Sequence, residues 1–362
     1  MSVTLANLND SWKMDYGLAV DKVVASFVKP PPIPSSGIPA GIEESRFRPG
    51  RIHLLYDAAY RLHGGPLCML AAEKMLRLKR DSVVLFLTGV HHPIFFPRGE
   101  TDGPPGAVAL ARALSVGLGL KPVIVSDKEV EGVVTQTALS IGLVSDWDTK
   151  AGIRPRSVSV RGFPLLDVAE SKREAKVLVD QLQPAAVIAI ERKGRNAKGE
   201  YHSLLGTSRS KHEAKLDYVV DAASEKGAIT IGIGDNGNEI GFGNIHDDVM
   251  KIQMFGEMCQ CPCGNGIAST VKTDVLIPAS TSNWGAYGVE ACIAILSGEY
   301  ELMHDGKTEE RVLTACAAMG CADGETIEST PTCDGTGMAS VYVVNLLKSL
   351  VDQSRTTKKR EF

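Results

Sequence analysis

Several features that would assign a chain early are missing from this one of 362 residues. No apolar run approaches the roughly 20 residues of a membrane span, so no contact with a bilayer is expected. Neither sign of charge dominates: 39 Lys and Arg stand against 43 Asp and Glu, a formal net charge of −4. Binding to nucleic acid through a broad basic face needs an excess of cations, so that class is set aside. The first thirty residues carry Asp10, Asp15 and Asp21 and no apolar block. A secretory signal needs such a block and a transit peptide avoids acids. The expected compartment is therefore the cytoplasm, with the mitochondrial matrix as the alternative. There is no repeat period and no low-complexity tract. Eight cysteines are present, but a chain this long buries enough core to stand without a disulfide framework, and free thiols are expected.

What the chain does have is glycine and proline, 36 and 18 residues, clustered in short loops between apolar runs. The runs at Val83 to Leu87, Pro122 to Val125, Ala185 to Ile190, Ala228 to Ile233 and Asp274 to Ile277 are continuously apolar. That pattern suits strands buried on both faces of a parallel sheet. Helical periodicity lies between them, at Leu67 to Leu78, after Pro104 and Pro105, and over 167–182, 211–225, 284–296 and 338–350. Alternation of strand and helix predicts an α/β fold, a doubly wound, mostly parallel sheet with helices on both faces in a Rossmann-like three-layer arrangement. One domain over 45–352 is expected, behind an N-terminal extension over 1–44. Pro30, Pro31, Pro32 and Pro34 make part of that extension a stiff connector. A disordered tail is expected over 353–362, and two intimately packed lobes are the alternative to one domain.

In open α/β sheets the ligand crevice lies beyond the carboxyl ends of the strands. Three of the five expected ends carry a carboxylate: Asp127, Glu191 and Asp235. The first end is followed by Thr88 and Gly89, and the fifth leads to Ser282, Asn283 and Trp284. Unpaired like charges repel, so a convergence of acids at one edge points to a cation, an ammonium group or shared protons. The loop from Gly99 to Ala107 carries Glu100, Thr101 and Asp102. Either Asp102 caps the helix that follows, or the loop holds a ligand through its N–H groups and acids. Arg192, Arg195 and Asn196 follow Glu191, with Ser203 beyond, and an arginine can hold a carboxylate bidentately. Lys193 and Lys198 fit a solvated basic loop. Asp235, Asn236, Asn238 and Glu239 form a polar loop suited to a small polar ligand or a hard cation. The run Gly232 to Gly237 fits G-x-G-x-x-G, but Asp235 and Glu239 would face a pyrophosphate there, and no nucleotide is expected. Ser282 or Asn283 suits a helix N-cap, and free N–H groups at that turn would suit an oxyanion. Cys259, Cys261 and Cys263 form C-x-C-x-C, which lacks the usual zinc spacing and reads as buried thiols. His91 and His92 follow the first strand, with no third ligand in view.

Taken together, Gly99 to Ala107, Glu191 to Asn196 with Gly199 to Ser203, Gly234 to Gly241 and Ser282 to Tyr287 resemble the D-glutamate cyclase family, in its C-terminal-type domain. The four motifs run in the family's order and span residues 45 to 350 or so. Asn236 stands where a glycine is expected, and the C-x-C-x-C run departs from the pattern. The resemblance implies a lyase that closes D-glutamate, or a related acidic amino acid, to 5-oxo-D-proline with loss of water. On that expectation Glu191, Asp235 and Glu239 are the catalytic carboxylates, Arg195 with Arg192 holds a substrate carboxylate, and N–H groups from Ser282 to Gly285 steady the oxyanion. Glu100, Thr101, Asp102, Asn196, Ser203, Asn236, Asn238, Ser282, Asn283 and Trp284 complete the expected substrate contacts. Mg²⁺ or Mn²⁺ held by Asp102, Asp235 and Glu239 is a variant. A metal-dependent hydrolase of a lactam or cyclic imide, and a non-catalytic amino-acid-binding domain, are the rival readings. A homo-oligomer is compatible with any of them.

Overall fold

The computed structural model describes residues 11–29, 51–145 and 156–358. Seven strands form one sheet: β1 (Val83–Thr88), β2 (Lys121–Asp127), β3 (Val144–Ser145), β4 (Ser157–Phe163), β5 (Ala186–Ile190), β6 (Ile229–Gly234) and β7 (Val275–Pro278). Their order is β3-β4-β2-β1-β5-β6-β7, and every neighbouring pair is parallel. The five apolar runs are the strands β1, β2, β5, β6 and β7. Each needs apolar residues on both faces because the sheet is covered on both. Val84, Phe86, Ile124, Ile188 and Ile231 face one core, while Leu85, Leu87, Val123, Val125 and Val187 face the other.

The first core is the larger. It takes in residues of α1 (Ser11–Val24), α2 (Ile52–His63), α3 (Leu67–Leu76), α4 (Pro104–Leu118) and α5 (Glu131–Ser140). On the opposite face lie α6 (Val168–Leu182) and α7 (Asp217–Ser224). The remaining helices, α8 (His246–Ile252), α9 (Ser282–Ser297), α10 (Gly306–Ala318) and α11 (Ala339–Lys358), join the first core. The three-layer expectation therefore holds.

Some elements differ from the sequence reading. β4 alternates small polar and apolar residues beside the sheet edge, so it lacks the continuous apolar signature. The helix expected from Lys211 begins only at Asp217, because residues 211–216 turn to place the Ala214 N–H on Asp127 at 2.7 Å. The expected tail remains helical to Lys358. The expected extension contributes to the core: Val20 and Val24 are buried, and the buried Asp21 accepts from Leu67 N–H at 2.6 Å and Cys68 N–H at 3.1 Å at the start of α3. The proline connector at 30–34 lies outside the described residues. No helix among the described residues is long and apolar enough to cross a membrane, and all eight cysteines are free of disulfide bonds.

The chain leaves β1 toward β2 on one side and returns to β5 on the other. The loops after β1 and β5 thus diverge at the carboxyl edge, and such a switch point opens a crevice.

Candidate active site

That crevice holds a cavity of about 410 Å³, a size suited to a small metabolite. Its walls come from segments that directly follow strands. Val90, Phe96 and Glu100 follow β1, Glu191 and Lys193 follow β5, and Asp235, Asn236 and Asn238 follow β6. Ser203, Leu204, Leu205 and Thr207 form one side, and Gly324, Glu325 and Asp334 another. Glu191 has φ +47°, in the left-handed region that side-chain-bearing residues avoid. Such strain persists where the surroundings over-determine the backbone, and it gathers at functional sites. The surroundings are tight here: a Cβ on Gly103, itself at φ +103°, would lie 2.6 Å from Thr88 Oγ1 and 3.1 Å from Glu191 Cβ.

The cavity is rich in charge. Five carboxylates line it, from Glu100, Glu191, Asp235, Glu325 and Asp334, with three cations, Lys29, Lys193 and Arg209. Glu191 accepts from Ser282 Oγ at 2.6 Å and pairs with Lys193 Nζ at 3.3 Å. Burial alone would raise its pKa, but Lys193, the Ser282 hydroxyl and Lys29 together hold its carboxyl below the usual range. Glu100 and Asp102 go the opposite way: burial, then the charges of Asp334 and Glu191, push both well above the carboxylate range. Burial also pushes Asp235 up, although Lys29 opposes it. Glu239 is raised to about 7 by burial and by Glu191. One oxygen each from Asp102, Glu191 and Asp235 can lie within 4.8 Å of the others, a set of hard donors of the kind that holds Mg²⁺ or Mn²⁺.

The structure gathers Glu100, Glu191, Ser203, Asp235, Asn236 and Asn238 at the cavity, with Asp102 and Ser282 directly behind Glu191. Other expected residues serve elsewhere. Arg192 is fully buried and spends its guanidinium on Asp127 and on the carbonyls of Gly89 and Ala214. Arg195 binds Asp217 at 2.7 Å and Asp221 at 2.8 Å and lies over the Tyr218 ring. Neither is free to grip a substrate carboxylate, and Asp127 is withdrawn from the cavity by its ion pair. Asn196 bonds within its own loop and to Gly266 O at 2.8 Å. Glu239 turns back on its loop, accepting from Gly237 N–H at 2.7 Å, so the expected metal set exchanges Glu239 for Glu191. Thr101 is buried, with its N–H on Ala322 O at 2.9 Å, and Trp284 is buried with Nε1 on Ser340 Oγ at 2.8 Å. The N–H groups at the start of α9 are not free for an oxyanion. Ser282 and Asn283 donate theirs to Asp102, each at 2.8 Å, and Trp284 donates to Thr281, the N-cap. Asp102 thus caps α9 rather than the helix that follows it in sequence.

Five charged cavity residues escaped the sequence reading as site residues: Lys29, Lys193, Arg209, Glu325 and Asp334. Lys193, expected in a solvated loop, is buried against Glu191. Lys29 pairs with Asp235 and with Asp334 at 2.6 Å, and both acids raise its pKa against the opposing effect of burial. Asp334 sits in a loop ordered by Asp323, which accepts from the N–H groups of Glu325, Thr326 and Gly335. Lys29 lies 206 residues from Asp235 and 305 from Asp334, so no spacing could have announced it.

Fold and cavity define the class: an open, parallel α/β protein with a charged, mostly acidic pocket at the carboxyl edge of its sheet. Within that class the chain belongs to the D-glutamate cyclase-like, C-terminal family, whose model matches residues 60–351. It is 29% identical over 229 residues to the mitochondrial D-glutamate cyclase of Homo sapiens, an alignment covering 61% of this chain and 34% of that protein. The chain therefore matches about a third of that relative's length.

Proposed function

We propose that the chain is a D-glutamate cyclase-like lyase that converts D-glutamate, or a related acidic amino acid, to 5-oxo-D-proline and water. The observation that carries this reading is the pairing, in one cavity, of an ionised carboxylate with carboxyls of raised proton affinity, the buried Lys193 and the half-buried Lys29. Ring closure has opposed needs. The ammonium must lose a proton before nitrogen attacks the γ-carbon, and the γ-carboxylate must be neutralised before it can be attacked.

The residues supply both. Glu191, kept ionised, receives the substrate ammonium and accepts its first proton, which frees the nitrogen lone pair. Asp235, its carboxylate paired with Lys29, accepts the second proton from nitrogen as the C–N bond forms. Lys193 and Lys29, which line the cavity where Arg192 and Arg195 do not, neutralise the substrate carboxylates. Glu100, held protonated by burial, donates to the departing oxygen as the C–O bond breaks. Nitrogen loses two protons in total and both leave on that oxygen as water, so no other reactant is needed. A divalent Mg²⁺ or Mn²⁺ bound by Asp102, Glu191 and Asp235 would supply further Lewis-acid neutralisation of the γ-carboxylate.

Incubation with D- and L-glutamate, with and without Mn²⁺, followed by mass spectrometry, tests the proposal. The expected product is one water lighter than the substrate. Thermal stabilisation by glutamate with no product would instead indicate a binding domain.

A further inference from the structure

We propose that His202, Cys259, Cys261 and Cys263 form a structural zinc site that fastens one wall of the cavity. The C-x-C-x-C run lacks the usual C-x₂₋₄-C spacing of zinc sites, and the fourth ligand is remote in sequence. In the fold, His202 is fully buried, and its Nε2 lies 3.2 Å from Cys261 Sγ and 3.6 Å from Cys263 Sγ. Cys259 Sγ lies 3.4 Å from each of the other two sulfurs. A tetrahedral zinc with bonds of about 2.3 Å to sulfur and about 2.05 Å to nitrogen separates its ligand atoms by about 3.8 Å (S···S) and about 3.5 Å (S···N). The four side chains are therefore close to that arrangement without metal. The sulfurs are well beyond the roughly 2.05 Å of a disulfide. Three soft thiolates with one imidazole select zinc over the hard cations suited to the carboxylate set.

The local backbone has the same character. Cys259 Sγ also lies 3.6 Å from the Cys261 carbonyl oxygen, so the chain folds tightly around the three sulfurs. Gly264 turns the chain directly after Cys263 with φ +60°.

The location explains what such a site would do. Between α8, ending at Ile252, and β7, starting at Val275, the chain has no helix or strand. Its own apolar core is only Met254, Phe255 and Ile267, with Leu204 packed against it. Long irregular segments with so little core are commonly stapled. His202 belongs to the opposite loop, whose next three residues line the cavity. Its carbonyl also accepts from Asn238 Nδ2 at 2.7 Å. Zinc here joins the 254–267 segment to that loop, each thiol releasing its proton to solvent as it binds.

The test uses the full chain produced with zinc in the medium and desalted without chelator. The expected content is one zinc per chain, absent from Cys261→Ser/Cys263→Ser. Cobalt exchange should give the intense visible bands of a tetrahedral thiolate site. The double variant should melt about 5–10 °C lower and be cut faster by protease within 254–267. If that variant fails to fold, the cobalt spectrum and thiol-reagent release of zinc from the wild type still decide. Zinc-free protein that gains no cobalt bands overturns the proposal, as does a Cys259–Cys261 disulfide without metal or full zinc retained by the double variant. Glutamate turnover is scored separately: zinc bound here without turnover leaves this site standing and removes the cyclase reading.

Discussion

Asp102 and Asn283 cap one another's helices. Asp102 Oδ2 and Oδ1 accept from the N–H groups of Ser282 and Asn283 at the start of α9, each at 2.8 Å. Asn283 Oδ1 accepts from Gly103 and Gly106 at the start of α4, at 2.9 and 2.7 Å. All these groups are buried, so no water replaces a lost partner. Asn283→Ala strands the Gly106 donor, while the Gly103 N–H keeps Asp102 Oδ1 at 3.0 Å, and should cost about 1–3 kcal/mol, read from urea unfolding. A loss below about 0.5 kcal/mol would mean that the two caps are not coupled as described.

Glu191 combines a strained backbone with the lowered carboxyl of the cavity. Glu191→Gln keeps the Ser282 contact and the shape but removes the charge, and should reduce turnover of glutamate by at least 100-fold. The strain has its own readout: Glu191→Gly should be more stable than Glu191→Ala by about 1 kcal/mol, since only glycine is at ease at this φ. Equal stabilities would remove the strain argument without touching the chemical one.

Lysine and arginine variants separate the two clamps. Lys29→Ala and Lys193→Ala should each raise the KM for an acidic substrate by about 10–100-fold, the worth of a lost charged hydrogen bond. Arg195→Leu should lower stability, by freeing the buried Asp217, and leave KM within about twofold. A large KM effect at Arg195 with none at either lysine would reverse the assignment.

A buried imidazole outside the cavity lining gives a pH signature. His304 Nδ1 lies 2.7 Å from Glu290 Oε2, and its Nε2 lies 3.3 Å from Glu309 Oε2. Burial alone would lower its pKa, but Glu290 and Glu309 hold it up to about 10. The folded value thus exceeds the unfolded one of about 6.5. The stabilisation is complete below about 6.5 and is lost as pH rises toward about 10. Urea midpoints should fall over that window in the wild type. His304→Gln should be destabilised by about 3–5 kcal/mol at pH 6 and show a flatter profile. An unchanged slope in the variant would assign the pH dependence to other groups.

The parts legible from sequence are those whose physics is local. Strands buried on both faces need continuous apolar residues, so β1, β2, β5, β6 and β7 announce themselves, whereas the Ser and Arg positions of β4 conceal it. Polar loops at strand ends pointed to Glu191 and Asp235. Pairing is another matter. Arg195 looks free in sequence because Asp217 and Asp221 sit a loop and a helix away, and Lys29 looks like part of a connector because its acids lie beyond β6 and in the 323–336 loop. His202 precedes Cys259 by 57 residues, so the thiols looked orphaned. Long-range electrostatic partners leave no periodicity.

The path of residues 24–29 sets the limits of the unit that can be made and studied. Ser280 N–H donates to Val24 O at 2.8 Å, Phe27 N–H donates to Ser280 Oγ at 2.9 Å, and the Phe27 ring meets Trp284 edge-on. Gly288 of α9 lies against Val20 and Val24. The segment that precedes the family match at residue 60 is thus built into the scaffold and hands Lys29 to the cavity. A recombinant fragment trimmed to the homology boundary would lose a cation from the cavity and leave a hydrophobic scar on α9, so a lack of turnover in it would not test the proposed activity.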